Sequence, residues 1–226
     1  MSNDSKIAFW GVGTSRTLRP IWVAEELGLT YKIYPIGPRT GETQTKKYSE
    51  LNPKRKVPFC EDGDFKLSES VAICRYLIST YGNSTTLMKP QSLKGLAKED
   101  EWLSYIYGEL DETSLYVMRR HQGLPEIYGE APTAVDAART YAIRHLDVID
   151  VHLKGRSYLL AETFGLADIF LVTCLNWAEN YGIPLQDGLR RYRDSITQRA
   201  QYKACLLYTS DAADDMQCVD LGGRRI

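Results

Sequence analysis

The chain has 226 residues, 43% of them hydrophobic, with 28 basic and 29 acidic side chains and a net charge of −1. That is enough apolar material for one large or two small cored domains, while the near-neutral, mixed charge excludes a basic nucleic-acid stripe and an acidic disordered tail. No apolar run reaches transmembrane length, and the five scattered cysteines lack metal-ligand spacing and fit a reducing compartment, so a cytoplasmic protein without metal, membrane or nucleic-acid partners is expected.

Met1-Ser2-Asn3-Asp4-Ser5 is polar, with no apolar signal segment behind it. Residues 7–10 (Ile-Ala-Phe-Trp) read as a short strand, 11–17 as a loop, and 19–27 as a helix stopped by Gly28. Residues 31–36 form a second strand ended by Gly37-Pro38. A loop with a helical turn runs through Tyr48 and Leu51 and closes at Asn52-Pro53. Two hairpin strands flank the tight turn Asp62-Gly63-Asp64, and a helix over 70–81 ends at Gly82-Asn83. The order is βαβ then ββα, whose first unit wants a parallel strand pair with a right-handed crossover.

Residues 84–93 read as a polar linker, which makes 1–83 one domain. The period then changes. Trp102, Leu103, Ile106, Leu110, Ser114 and Val117 follow helical spacing until Gly123-Leu124-Pro125 breaks it. A helix over 134–153 follows, and Tyr158-Leu159-Leu160 leads into a third. Its start signal is Gly165 as N-cap with Asp168 as third helical residue, bracketed by a Phe164–Ile169 staple. That feature belongs to folding rather than chemistry. Pro184 and Gly188 separate a last segment over 189–204, so 94–204 is an all-helical domain.

Two stretches at one distance carry the chemistry: Lys56-Val57-Pro58, then Ser68-Glu69-Ser70 after the hairpin. An X-Pro bond can be cis at modest cost and makes a tight exposed turn. Such a turn leaves the Val57 N–H and C=O open to pair with a peptide as a strand does. Ser70 stands where a strand feeds a helix, so free N–H groups and a hydroxyl can take a carboxylate. Glu69 offers a charge for an ammonium. A carboxylate and an ammonium next to a strand-pairing backbone describe the γ-glutamyl end of glutathione.

From Leu51 to Leu77 the pattern L-N-P-x-x-K-V-P-F-x-x-D-G-D-F-x-L-S-E-S-x-A-I-x-R-Y-L resembles the glutathione-binding half of the cytosolic glutathione transferases. The F-x-L-A-D-I segment resembles the capping motif of their helical domain, with Gly165 where members usually carry Ser or Thr. The resemblance implies a thioredoxin-like α/β N-terminal domain followed by an all-α domain. It implies glutathione as co-substrate, no permanently bound cofactor, and a small hydrophobic electrophile as the other substrate. It also implies a homodimer. Lys56 and Gln44, with Thr43 beside it, would meet the glycine end of glutathione, while Val57, Pro58, Glu69 and Ser70 would hold the rest. Lys54, Arg55 and Lys56 form a positive cluster that attracts an anionic tripeptide.

The loop Gly11-Val12-Gly13-Thr14-Ser15-Arg16-Thr17-Leu18-Arg19 resembles the serine-type members, theta-like, phi-like or related bacterial ones. Their serine lies four residues before an arginine, which lands on Ser15 with Arg19; Thr14 is the second candidate. Ser15 or Thr17 could equally be a helix cap. A thiol with pKa near ~8.5 is mostly protonated at neutral pH, and lowering it by about two units takes roughly 2.7 kcal/mol of selective thiolate stabilisation. A hydroxyl and a helix N-terminus can supply that together. The first strand and its loop contain no tyrosine and no cysteine, which disfavours tyrosine-type and thiol-exchange chemistry. The electrophile is expected against the helix around residues 102–116, lined by Tyr105 and Tyr116. Alternatives on the same fold are a non-catalytic carrier or interaction module, or a glutathione-dependent dehalogenase, isomerase or etherase. Residues 205–226 resemble a translated sequencing adapter: helical spacing stops after Leu207, an acidic stretch follows, and Gly222-Gly223-Arg224-Arg225 has no core-facing pattern. They are expected to lie outside the fold.

Overall fold

The computed structural model describes residues 6–82, 86–160 and 163–214, with side chains described as far as residue 207. The readings of Met1–Ser5, Asn83 and residues 215–226 fall outside these. Contacts divide the chain into two compact units: one holds the chain up to Lys89 together with the segment from Arg199, the other is Pro90–Gln198.

The first unit is built on a four-stranded sheet of order β2-β1-β3-β4. β1 (Ile7–Trp10) is its apolar centre, pairing parallel to β2 (Tyr31–Tyr34) and antiparallel to β3 (Phe59–Asp62). β4 (Phe65–Ser68) closes the hairpin, with Phe59 opposite Ser68 and Asp62 opposite Phe65. Gly63, at φ 60°, supplies the left-handed residue that this two-residue turn requires. α1 (Ser15–Glu26) and α3 (Ser70–Tyr81) pack together and bury Ile21, Trp22, Val23, Ile73 and Leu77. The short α2 (Lys46–Leu51) precedes the hairpin. This is the expected βαβ-ββα arrangement, with two corrections. β2 ends at Tyr34 rather than at residue 36, because Pro35 has no N–H to give to the ladder. α1 starts at Ser15, inside the stretch read as a loop, because a cap at Thr14 draws the helix back toward the strand.

The second unit is all-helical. α4 (Leu93–Tyr105) continues without a break into a π-helical stretch, Ile106–Leu115, then α5 (Tyr116–Met118) and a second π stretch, Arg119–Gly123. The expected amphipathic helix is therefore present but underwound in its middle, where the Ser114 hydroxyl donates to the Glu109 carbonyl at 2.6 Å. The short α6 (Pro125–Tyr128) leads to α7 (Pro132–Leu153). α8 (Leu166–Asn180) is buried nearly all round and is the unit's central helix. α9 (Asp187–Thr197) follows; Gly188, read as a separator, is its second residue.

α8 starts as the spacing predicts. Gly165 N–H donates to Asp168 Oδ2 at 2.8 Å, Leu159 N–H and the Tyr192 hydroxyl donate to Oδ1 at 2.9 and 2.5 Å, and Phe164 and Ile169 are both buried. Burial raises the Asp168 carboxyl to a pKa of about 6 despite these donors.

The end of the chain departs from the sequence reading. α10 (Ala200–Asp214) does not continue the helical unit but packs on α1, the Tyr202 ring lying 4.6 Å from Trp22. Cys205, read as the first residue of an extraneous tail, is fully buried there. The boundary at 204 thus falls inside a packed helix, because the face carrying Tyr202 and Cys205 has an apolar partner that local sequence does not reveal.

Candidate glutathione site

The site candidates in the first unit gather around one close approach. Gly11 stands at φ 110°, and a Cβ placed on it would lie 2.4 Å from Val57 Cβ and 3.0 Å from Thr17 Cγ2. Only a residue without a side chain lets the β1–α1 loop touch the segment before Pro58. The loop is tied down by Gly11 N–H to Tyr34 O at 3.0 Å and Val12 N–H to Ile36 O at 3.2 Å. From the other side, the Lys56 carbonyl accepts from the Tyr48 hydroxyl at 2.7 Å and from Asn52 Nδ2 at 2.9 Å. The Val57–Pro58 peptide bond is cis. Neither the N–H nor the C=O of Val57 has a hydrogen-bond partner among the described residues.

The hydroxyls of the loop divide their work. Thr14 is the N-cap of α1: its Oγ1 accepts from Thr17 N–H at 3.1 Å, and Thr17 Oγ1 accepts from Thr14 N–H at 3.0 Å. This reciprocal box satisfies the orphan donors at the helix start. Ser15, next in line, is half-buried, and its hydroxyl makes no hydrogen bond among the described residues. The first turn of α1 carries no acidic side chain, so its positive end is not neutralised from within.

α3 offers a second open helix start. Its N-cap, Glu69, sits at φ 74° and makes no capping hydrogen bond with its side chain. Its first helical residue, Ser70, is buried with a hydroxyl that has no partner among the described residues. The Glu69 carboxylate faces outward to Lys54, at 3.0 Å between Oε1 and Nζ, with both side chains about half exposed. Gln44 bridges Thr43, at 3.1 Å, and Arg55, at 3.4 Å.

Burial disfavours the thiolate at both Cys60, in β3, and Cys74, in α3. Burial pushes Cys60 up to about 12, helped by Asp62 and Glu61, and pushes Cys74 further. No group of acidic, histidine and cysteine residues among those described is arranged to hold a metal ion.

Ser15, Thr14, Gln44, Lys56, Val57, Pro58, Glu69 and Ser70 thus share the first unit. Tyr105 and Tyr116 belong to the second, where the Tyr105 hydroxyl is engaged with His145 Nδ1 at 2.7 Å and its pKa is raised by burial and then by Glu109. Gly165 and Asp168 are structural. The sequence reading missed the Lys54–Glu69 pair, the Tyr48 and Asn52 anchors of Lys56, and the need for Gly11. The spacing N-P-x-x-K could have suggested only the Asn52 anchor.

Comparison with known proteins gives one family. Residues 5–79 match the family described as glutathione S-transferase, N-terminal domain, and residues 129–209 its C-terminal domain. Glutathione S-transferase theta-1 of Rattus norvegicus is 29% identical over 181 residues, covering 78% of this chain and 75% of that protein. The Bos taurus theta-1 protein is 30% identical over 165 residues, covering 70% and 68%. The crystal structure of the theta class glutathione S-transferase from Xanthomonas axonopodis pv. citri, with glutathione bound, superposes with a TM-score of 0.76 at 25% identity, covering 90% of this chain and 98% of that one.

Proposed function

The chain belongs to the glutathione S-transferase family, and from that membership we propose that it transfers the glutathione sulfur to a small hydrophobic electrophile, with Ser15 as the thiolate-stabilising hydroxyl. The observation that carries the assignment is the division of labour at the α1 start. Thr14 is held in the capping box with Thr17, while the Ser15 hydroxyl, in the loop that Gly11 presses against Val57, has no partner among the described residues.

The proposed steps run as follows. Val57 pairs through its open N–H and C=O with the backbone of the cysteinyl residue. The α-carboxylate of the γ-glutamyl end takes the uncapped α3 start and the Ser70 hydroxyl. Its ammonium goes to Glu69, and the glycine carboxylate meets Lys56 and Gln44. The thiol then lies near Ser15. Its proton leaves to solvent, and the Ser15 O–H donates to the remaining thiolate, assisted by the positive end of α1. The thiolate attacks the electrophilic carbon. A C–S bond forms, and the leaving group departs with the electron pair of the broken bond, or the pair moves onto the acceptor in an addition.

A homodimer and a cytoplasmic setting belong to the same proposal; no described helix is long and apolar enough to cross a membrane. The deciding experiment is an ultraviolet titration of the thiolate of bound glutathione. Ser15→Ala should raise its pKa by about one to two units, as expected for loss of a charged hydrogen bond of ~1.5–3 kcal/mol, with glutathione affinity nearly intact. An unchanged pKa in Ser15→Ala, with a raised one in Thr14→Ala, would move the role to Thr14.

A further inference from the structure

The helical unit carries a groove that the glutathione reading leaves unused. It measures about 720 Å³ and is lined only by residues of Pro90–Gln198. That volume lies within the range of small-molecule sites, roughly 300–1,000 Å³. α7 stops at Leu153, and the chain turns through Gly155 at φ 74°, the Arg156 N–H returning to Leu153 O at 3.0 Å. This turn sets Lys154 and Arg156 along the groove, and α9 contributes Arg191.

None of these three cations has an ion pair or a side-chain hydrogen bond among the described residues. Their neighbours on α9 are neutralised: Arg190 by Asp187 at 2.9 Å, and Arg193 by Glu179 at 2.5 Å and Asp194 at 2.7 Å. Asp150 is the one carboxylate among the lining residues, and it lies over Gly188, where a Cβ would stand 2.3 Å from Oδ1. The lining charge is therefore 3 − 1 = +2. The backbone N–H groups of Ser157 and Tyr158 and the Ser157 hydroxyl also lack partners among the described residues, so donors outnumber acceptors.

We infer that this groove is a second ligand site, and that its ligand is a small dianion of the phosphate-monoester class. Two negative charges match the net lining charge. Two guanidinium groups can each hold a phosphate oxygen pair in the forked geometry that a single ammonium cannot offer. The loop donors take the remaining oxygens. A neutral apolar ligand would strip water from three cations and gain no partner for them. Tyr192, which also lines the groove, donates to Asp168 at the α8 cap, so occupancy lies one hydrogen bond from the start of the unit's central helix.

The test is a titration of the full ¹⁵N-labelled chain with glycerol 2-phosphate, followed by amide resonances, with glycerol as the uncharged control. The Gly155, Ser157 and Gly188 amides should shift saturably with the phosphate and not with glycerol. Lys154→Ala/Arg156→Ala/Arg191→Ala should weaken binding at least tenfold, and Arg191→Gln alone severalfold. Lys66→Ala/Lys94→Ala, which removes two cations elsewhere that have no ion pair among the described residues, should leave binding unchanged. Equal affinity in the triple variant, no saturable shift, or shifts confined to residues around Lys54 and Lys56 would overturn the inference.

Discussion

The Arg199 guanidinium grips the Glu26 carboxylate in a two-pronged contact, Nε to Oε1 and Nη2 to Oε2, both at 2.7 Å. Glu26 is the last residue of α1 and is buried; Arg199 stands just before α10, far along the chain. Trp22 Nε1 adds a hydrogen bond to Oε1 at 3.0 Å, and Arg199 Nη2 also reaches the Thr86 carbonyl at 2.9 Å. The pair therefore fastens the returning chain end to the first helix of the α/β unit.

Removing the cation leaves a buried carboxylate without its counter-charge. Arg199→Ala should destabilise the protein by about 3–5 kcal/mol, the usual cost of breaking a buried pair from one side. Arg199→Lys should recover only part, because a single ammonium cannot serve both oxygens. Urea unfolding of the three proteins measures this; a loss under about 1 kcal/mol in the alanine variant would show that the contact is not structural.

Gly11 should tolerate no side chain, for two separable reasons. Gly11→Ala meets Val57 at 2.4 Å and is also strained at φ 110°, whereas Gly13→Ala is strained at φ 76° but meets nothing within 4 Å. Backbone strain alone costs about 1–3 kcal/mol. Gly11→Ala should therefore melt several degrees below Gly13→Ala, at roughly 2–4 °C per kcal/mol for a chain of this size. It should also lose glutathione binding, because Val57 is pushed away. Equal melting points and intact binding would contradict the close approach.

The Glu69 carboxylate has a protein partner in Lys54 and a proposed ligand partner in the glutathione ammonium. The exposed pair is worth ~0.2–1 kcal/mol, so Lys54→Met should change the glutathione dissociation constant by less than about fivefold. Glu69→Gln removes the charge that the ammonium needs and should raise the constant by about tenfold or more. Calorimetry on both variants decides. A large effect of Lys54→Met with little from Glu69→Gln would reverse the assignment.

Asp168 should make stability depend on pH in the direction opposite to ordinary acid denaturation. Its carboxyl titrates at about 6 in the folded protein and near ~3.9 in an unfolded chain. Below its folded value the native state therefore holds a proton that the unfolded state releases. The stability linked to that proton is complete below the unfolded value and is lost as pH rises through the folded one. Moving from pH 7.5 to pH 5 should favour the wild type over Asp168→Asn by about 1.4 kcal/mol. At both pH values the variant should be less stable, since its amide has one acceptor oxygen where the carboxylate uses two, so the donors on one side meet an NH2 group. A pH-independent gap in denaturant unfolding would place the Asp168 titration elsewhere.

Much of the first unit was legible in the sequence because its signals are local. Apolar runs, Asp62-Gly63-Asp64 and the spacing from Val57-Pro58 to Ser70 each specify backbone within a few residues, so the βαβ-ββα succession of elements and the family pattern could be read directly. The α8 start was equally local, with Gly165, Asp168 and the Phe164–Ile169 pair inside one turn. Which hydroxyl caps α1 and which is left open was not decidable, since Thr14, Ser15 and Thr17 are all good caps; the reciprocal bonds of Thr14 with Thr17 chose. Contacts between segments far apart in the chain belonged to the tertiary structure alone. Gly11 against Val57, Lys54 with Glu69, and the groove cations Lys154, Arg156 and Arg191 join segments whose proximity no local periodicity encodes. The same holds for Glu26 with Arg199 and for Cys205 beside α1. A side chain's charge and size are written in the sequence, but the partner that satisfies it is fixed only when packing brings distant segments together.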